Sequence, residues 1–214
     1  MKNRALFGFI FSVFLLVWFS GNASSYNLMG RSWSNAQTTM HSVGGNATDL
    51  ANNTFVEAMN NWNNLSDFAF LNVSDYKDPC WNPNYGIIGN GWGFTSSACG
   101  SAFGSTTIAV TISWFAGSDM AQAGIVFDIN RPWGIFHGSN PAAVDFRRVA
   151  THELGHVLGL DHDNTYPALM NTSYSETIET PQSDDSNGIR EIYGGGPGPV
   201  DLVEAFVTRF YQQC

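Results

Sequence analysis

The sequence predicts a single α+β domain on three observations. Apolar residues recur at helical spacing in 49-DLANNTFVEAMNNWNNL-65, and apolar β-branched runs stand at 106–115 and 124–129. A helix signal rich in histidine then follows at 141–158. A chain of 214 residues is long enough for one sizeable core and short for two full domains. Hydrophobic residues make up an ordinary 43%, but only 13% are charged, so Gly, Asn and Ser must supply a surface of neutral polar groups and many turns.

The first residues read as an export signal. Lys2 and Arg4 are the charged region, Ala5 to Phe19 is the apolar run, and Gly21-Asn22-Ala23 supplies small residues for cleavage after Ala23. The other reading is an uncleaved anchor, for which the run is short against a span of about twenty residues. The expected organisation is therefore a signal peptide over 1–23, one globular domain over 24–194 and a linker with a short tail over 195–214. The mature chain is expected to be secreted, without stable membrane association. Without Lys2 and Arg4, seven basic residues face eighteen acidic ones, a net charge of −11. That balance and the lack of any basic cluster argue against nucleic acid or anionic lipid as a partner.

The elements follow in order. Phe55, Met59 and Trp62 at i, i+4 and i+7 mark the first helix. Cys80 and Cys99 flank a loop rich in Gly and Trp and are predicted to pair, which removes roughly 3 kcal/mol of denatured-state entropy. Trp81 or Trp92 offers an aromatic platform for carbohydrate, against the plainer reading of core and loop packing. Cys214 is left over, free or available to bridge a second molecule in an otherwise monomeric protein. Strands are expected at 106-TTIAVTISWF-115 and 124-GIVFDI-129. Pro141 is placed in the first turn of the second helix, with Asn140 or Ser139 as its cap and Gly159 as its stop. A third helix runs from Asp184 to Tyr193, closed by Gly194. The segment 194-GGGPGP-199 is a linker by composition, and 200–214 has Val203, Phe206 and Phe210 on one side of a short helix.

The chemistry concentrates in 151-THELGHVLGLDHD-163, which holds three of the five histidines. Residues four apart share a helix face, so His152 and His156 present their rings to one point. Glu153 lies at the edge of that face, near a metal without being aimed at it, as a general base acting on water requires. A catalytic zinc takes three protein ligands and keeps one position open. Continuing the helix carries the next residue out of reach, so the chain must reverse at Gly159, which tolerates positive φ, and bring His162 back as the third ligand. The plain alternative, two histidines four apart by chance, is set against the fixed offsets of Glu153, Gly159 and His162. His41 and His137 stand alone and read as polar surface residues.

The motif His152-Glu153-x-x-His156-x-x-Gly159-x-x-His162 resembles the long zinc signature of the metzincin peptidases. Within them, 167-PALMN-171, Tyr174 and 184-DDSNGIREIYG-194 resemble the matrixins (matrix metalloproteinases), as does 33-WSNAQTTM-40 with the helix after it. The resemblance spans roughly Asn27 to Gly194. It implies a twisted, mixed, mostly parallel five-stranded sheet with three helices, and Met170 in a tight Met-turn beneath the metal. It also implies Tyr174 at the specificity pocket and a peptide substrate laid as an extended strand along 106–115. The activity implied is a zinc endopeptidase with Glu153 as base. The alternative from another class is a secreted zinc-containing binding protein or adhesin without turnover. The chain departs from the family in several places. Asp163 follows the third histidine, where animal matrixins usually carry Ser. No histidine stands in the strands that hold the second zinc of animal matrixins, so one zinc is expected. Asp128 stands where the family places a calcium ligand, which raises Ca2+ as a second cofactor, but Arg131 holds the position of its acidic partner. No cysteine-switch motif is present, since Cys80 in 78-DPCWNPN-84 lacks the rest of that pattern.

Overall fold

The computed structural model describes residues 26–81 and 89–195; the expected signal 1–23 and the tail 196–214, with Cys214, lie outside them. The elements are β1 (Asn27–Leu28), β2 (Gln37–Val43), α1 (Asp49–Asn60), β3 (Ala69–Tyr76), β4 (Trp92–Thr95), β5 (Ala109–Ala116) and β6 (Asp119–Asp128). After these come β7 (Trp133–Gly134), β8 (Val144–Asp145), α2 (Phe146–Leu158), β9 (Leu160–Asp161) and α3 (Ser183–Tyr193).

Five strands form one twisted array in the order β3-β2-β4-β6-β5. β2 pairs with β3 and β4 with β6 in parallel, and β5 with β6 antiparallel. Parallel bridges Met40–Asn90 and Gly45–Gly93 join the two halves. Asn90 is the stitch: its buried amide donates to Thr38 Oγ1 (2.7 Å) and the Thr39 carbonyl (2.8 Å) and accepts from the Ala123 N–H (2.8 Å). A buried amide with every partner satisfied fixes register as well as stability. This mixed, mostly parallel sheet with three helices is the architecture the sequence led us to expect.

Helices α1 and α2 pack together over the sheet. Thr48 caps α1, its hydroxyl accepting from the Ala51 N–H (3.2 Å). Phe55 and Met59 on α1 are buried, and Trp62 just beyond it donates from Nε1 to the Thr151 carbonyl on α2 at 2.8 Å. Trp92 is fully buried and stacks on Phe55 at 4.6 Å, so it is core and not a carbohydrate platform; Trp81 is 38% exposed.

Several elements differ from the sequence reading. The second helix begins at Phe146, not Pro141. Asn140 does act as a cap, its side chain accepting from the Ala142 N–H at 3.1 Å, but it closes only a turn. The chain is then drawn out to pair β8 with β7, and Asp145, in an extended conformation, becomes the true N-cap. β6 starts five residues ahead of the expected strand because it forms a hairpin with β5, pairing Ala116 with Asp119. β3 and β4 carry too little apolar alternation to announce themselves: β3 is largely exposed at the edge and β4 is four residues long.

A disulfide joins Cys80 to Cys99 (S–S 2.02 Å), and beside it Gln122 Nε2 on β6 donates to the Trp81 carbonyl at 2.5 Å. At Asp128 the residues do not suit calcium. Its carboxylate accepts from Asn130 Nδ2 (3.0 Å) and Arg131 Nε (3.1 Å), and the same guanidinium donates to the carbonyls of Ser105 and Thr107, each at 2.9 Å. The oxygens a hard cation needs are already taken by the chain's own cation.

Candidate metal centre

Asp145 accepts from the Arg147 N–H at 3.3 Å and starts α2 with its carboxylate at the positive end of the helix. Two turns further on, His152 and His156 share a face. Gly159 ends the helix in the left-handed region, at φ 100°, and its N–H returns to the His156 carbonyl at 3.0 Å. The reversed chain forms β9 against β1 and delivers His162.

The three rings converge. Nε2 of His162 lies 3.0 Å from Nε2 of His152 and 3.2 Å from Nε2 of His156. Among the described residues, this trio is the group with the spacing to hold a metal ion. Tetrahedral zinc with nitrogens at about 2.05 Å separates any two of them by about 3.3 Å, so the residues fit that ion. The tautomers fit too. Nδ1 of His152 is 2.7 Å from the Leu169 carbonyl and Nδ1 of His156 is 2.8 Å from the Leu160 carbonyl. A carbonyl only accepts, so both protons sit on Nδ1 and the Nε2 lone pairs point inward. Burial foremost, with the neighbouring His156 charge, depresses the His152 pKa to about 3, which keeps that ring neutral and ready to ligate.

A Cβ at Gly159 would sit 2.3 Å from the Arg31 carbonyl oxygen. Gly159→Ala is therefore expected to lose at least about 2 kcal/mol of stability, from positive φ and a backbone clash together, and to weaken zinc binding by moving His162. Urea titration and competition with a zinc indicator measure the two losses. At Gly155, one turn before Gly159, the missing Cβ makes room for Met170 Sδ, and the Trp62 ring also closes on this position. Met170 is thus packed under the helix between the two histidines' turns.

Glu153 lines the cleft and is 5% exposed. Burial raises its pKa, and the His156 charge and hydrogen bonds from Thr111 pull the other way. Thr111 Oγ1, on β5, lies 2.7 Å from Glu153 Oε2 and 3.1 Å from the Glu153 carbonyl.

The matrixin family model matches residues 32–194 of this chain. The chain belongs to the matrixin family. Its curated relatives include karilysin of Tannerella forsythia, 27% identical over 83% of this chain and 37% of that protein. Interstitial collagenase B of Mus musculus is 36% identical over 37% of this chain and 17% of its own length. Interstitial collagenase of Equus caballus is 41% identical over 36% and 16%. The chain thus spans little more than a third of the length of these relatives, or less. Matrixins are zinc-dependent metalloendopeptidases, and the three-histidine group of this chain suits the ion that the family uses.

The matrixin cleft has a volume of about 430 Å³ and runs between β5 and the segment after Met170. Arg148, Val149, Leu169, Tyr174 and Ile178 line one end. Tyr174 is held in place as its hydroxyl accepts from the Asp145 N–H at 3.2 Å. Behind it, buried Arg148 lies 3.1 Å from the Asp145 carboxylate and 2.8 Å from that of Glu179. His41 and His137 stand apart from the trio: His41 meets Asp75 at the sheet edge, and His137 meets Glu179. The sequence reading gave no site role to Thr111, Arg148, Glu179 and Asp185, because the contacts that give them one, to Glu153, between Arg148 and Glu179, and to the 169–170 backbone, join residues 15 or more apart.

Glu179 gives the fold's stability a pH dependence. The Gly138 N–H first, then His137 and Arg148, hold its carboxyl down to about 2 from an ordinary 4.5. A carboxylate depressed by folding stabilises fully above its unfolded pKa and loses that contribution as pH falls towards its folded one. Between pH 5 and pH 2 wild type is expected to lose on the order of 2 kcal/mol relative to Glu179→Gln, allowing for partial exposure. Denaturation midpoints of the two proteins at pH 6 and pH 2.5 test this: the gap narrows at acid pH.

Proposed function

We propose that the chain is a secreted zinc-dependent endopeptidase that hydrolyses peptide bonds of extracellular proteins. The observation that carries this reading is the convergence of three Nε2 atoms beside a buried carboxylate in an open cleft. His152, His156 and His162 would hold the metal. When bound there, zinc supplies Lewis acidity to a water molecule and to the peptide carbonyl. Glu153 takes the proton released as water attacks and delivers it to the departing amine nitrogen. The outer edge of β5 receives the substrate as an added strand, its main chain supplying the hydrogen bonds. Tyr174 and the residues near it take an apolar side chain just after the cleaved bond, and Met170 forms the Met-turn floor. Secretion rests on the signal features of residues 1–23; among the described residues no helix is long and apolar enough to cross a membrane.

The test is incubation of the mature protein with casein and gelatin, with and without a zinc chelator. Cleavage that the chelator stops and added zinc restores is expected. Intact substrates across a peptide library, with zinc bound, overturn the peptidase reading in favour of a binding protein.

A further inference from the structure

We propose that Thr111 is a positioning residue for the reaction, its hydroxyl fixing the Glu153 carboxylate so that Oε1 faces the cleft. The inference rests on Glu153 as the general base. Glu153 sits on α2, which is fixed by the metal-ligating turn, but its side chain has rotatable bonds between that backbone and its oxygens. A general base must hold its lone pair within about 3 Å of the proton it takes. Some group has to set that last torsion.

The geometry assigns the task to β5. Thr111 Oγ1 lies 2.7 Å from Oε2 and 3.1 Å from the Glu153 main-chain carbonyl. Both are acceptors, so the single hydroxyl proton lies between them, nearer the carboxylate, and gives Oε2 a charge-assisted bond. Because it also touches the main chain of the same residue, the hydroxyl ties the head of the side chain to its own root. With Oε2 occupied, Oε1 is the oxygen left for water. Thr111 is in turn held in register opposite Ile125 of β6. The strand that offers its edge to the substrate therefore also aims the base, and movement of one is felt by the other. The neighbouring β5 side chains offer no substitute: Val110 and Ile112 are aliphatic and, by strand alternation, point to the other face.

The test compares Thr111→Val, Thr111→Ser and Glu153→Gln with wild type, using a quenched-fluorescence peptide and the full zinc-loaded protein. Val keeps the β-branched shape without the hydroxyl, and Ser keeps the hydroxyl. Thr111→Val is expected to lower kcat roughly 10- to 100-fold, the range for losing one hydrogen bond to a charged group, with KM changed less than about threefold. Thr111→Ser restores most of the rate. Added to Glu153→Gln, Thr111→Val costs nothing further, because the group it serves is already disabled. Equal losses in Val and Ser, a loss confined to KM, or a full additional loss in the double variant overturns the assignment. If Glu153→Gln is inactive while Thr111→Val works at the wild-type rate, only the Thr111 inference fails. If Glu153→Gln is itself fully active, the base assignment beneath it fails.

Discussion

Glu153→Gln is expected to abolish turnover, lowering kcat at least about 1,000-fold, while the protein still binds one zinc per chain. Gln has almost the shape of Glu and can still accept the Thr111 hydroxyl through its amide oxygen, so the cleft and the strand register stay as they are. What it cannot do is take a proton at neutral pH. General base catalysis contributes about 10²–10⁴ in rate, and here the same group also returns the proton to the leaving amine. KM should change little, because Glu153 does not form the pocket that receives the side chain. Stability should hold or rise, since burial works against the charged form of Glu153 and Gln carries no charge. The measurements are peptide kinetics, metal content and a thermal melt on the same preparation. Wild-type turnover would remove Glu153 from the mechanism, and loss of zinc would make it a ligand instead.

Residues His152 to His162 were legible in the sequence because helix periodicity and one reversal at Gly159 are local, and local geometry follows from spacing. The third helix was legible for the same reason. The start of α2 was not. Asn140 and Pro141 carry the proper signals for a helix start, but pairing of Val144 and Asp145 with β7 outweighs them, and a pairing between strands has no signature in a single window. β3 escaped notice since an exposed edge strand shows no apolar alternation. The aiming of Glu153 by Thr111 joins residues 42 apart and exists only once β5 lies beside α2. The histidines that converge announced themselves; the residues that orient them did not.

Asp185 is the clearest orienting residue, and Asp185→Ala is expected to weaken zinc binding roughly 10- to 100-fold although the residue touches none of the three histidines. Its carboxylate, 2% exposed, accepts from the N–H groups of Gln182 (2.6 Å), Leu169 (2.9 Å) and Met170 (3.0 Å). The first bond anchors the start of α3; the other two hold the 169–170 peptide beneath α2. The carbonyl of Leu169 then accepts the Nδ1 proton of His152 at 2.7 Å. Removing the carboxylate frees the 169–170 backbone, and with it the acceptor that sets the tautomer and the angle of His152. Loss of such outer contacts costs 10- to 100-fold in metal affinity in other zinc sites. Three amides lose a buried acceptor at the same time, so stability should fall by about 3 kcal/mol. Asp185→Asn is no rescue, since its NH2 group would face backbone donors. Competition with a zinc-binding chromophore reads the affinity, and Glu57→Gln, an exposed change on α1, serves as the control. If Asp185→Ala melts earlier yet binds zinc as tightly as wild type, the carboxylate is only a cap for α3, and the ring of His152 is held by packing alone.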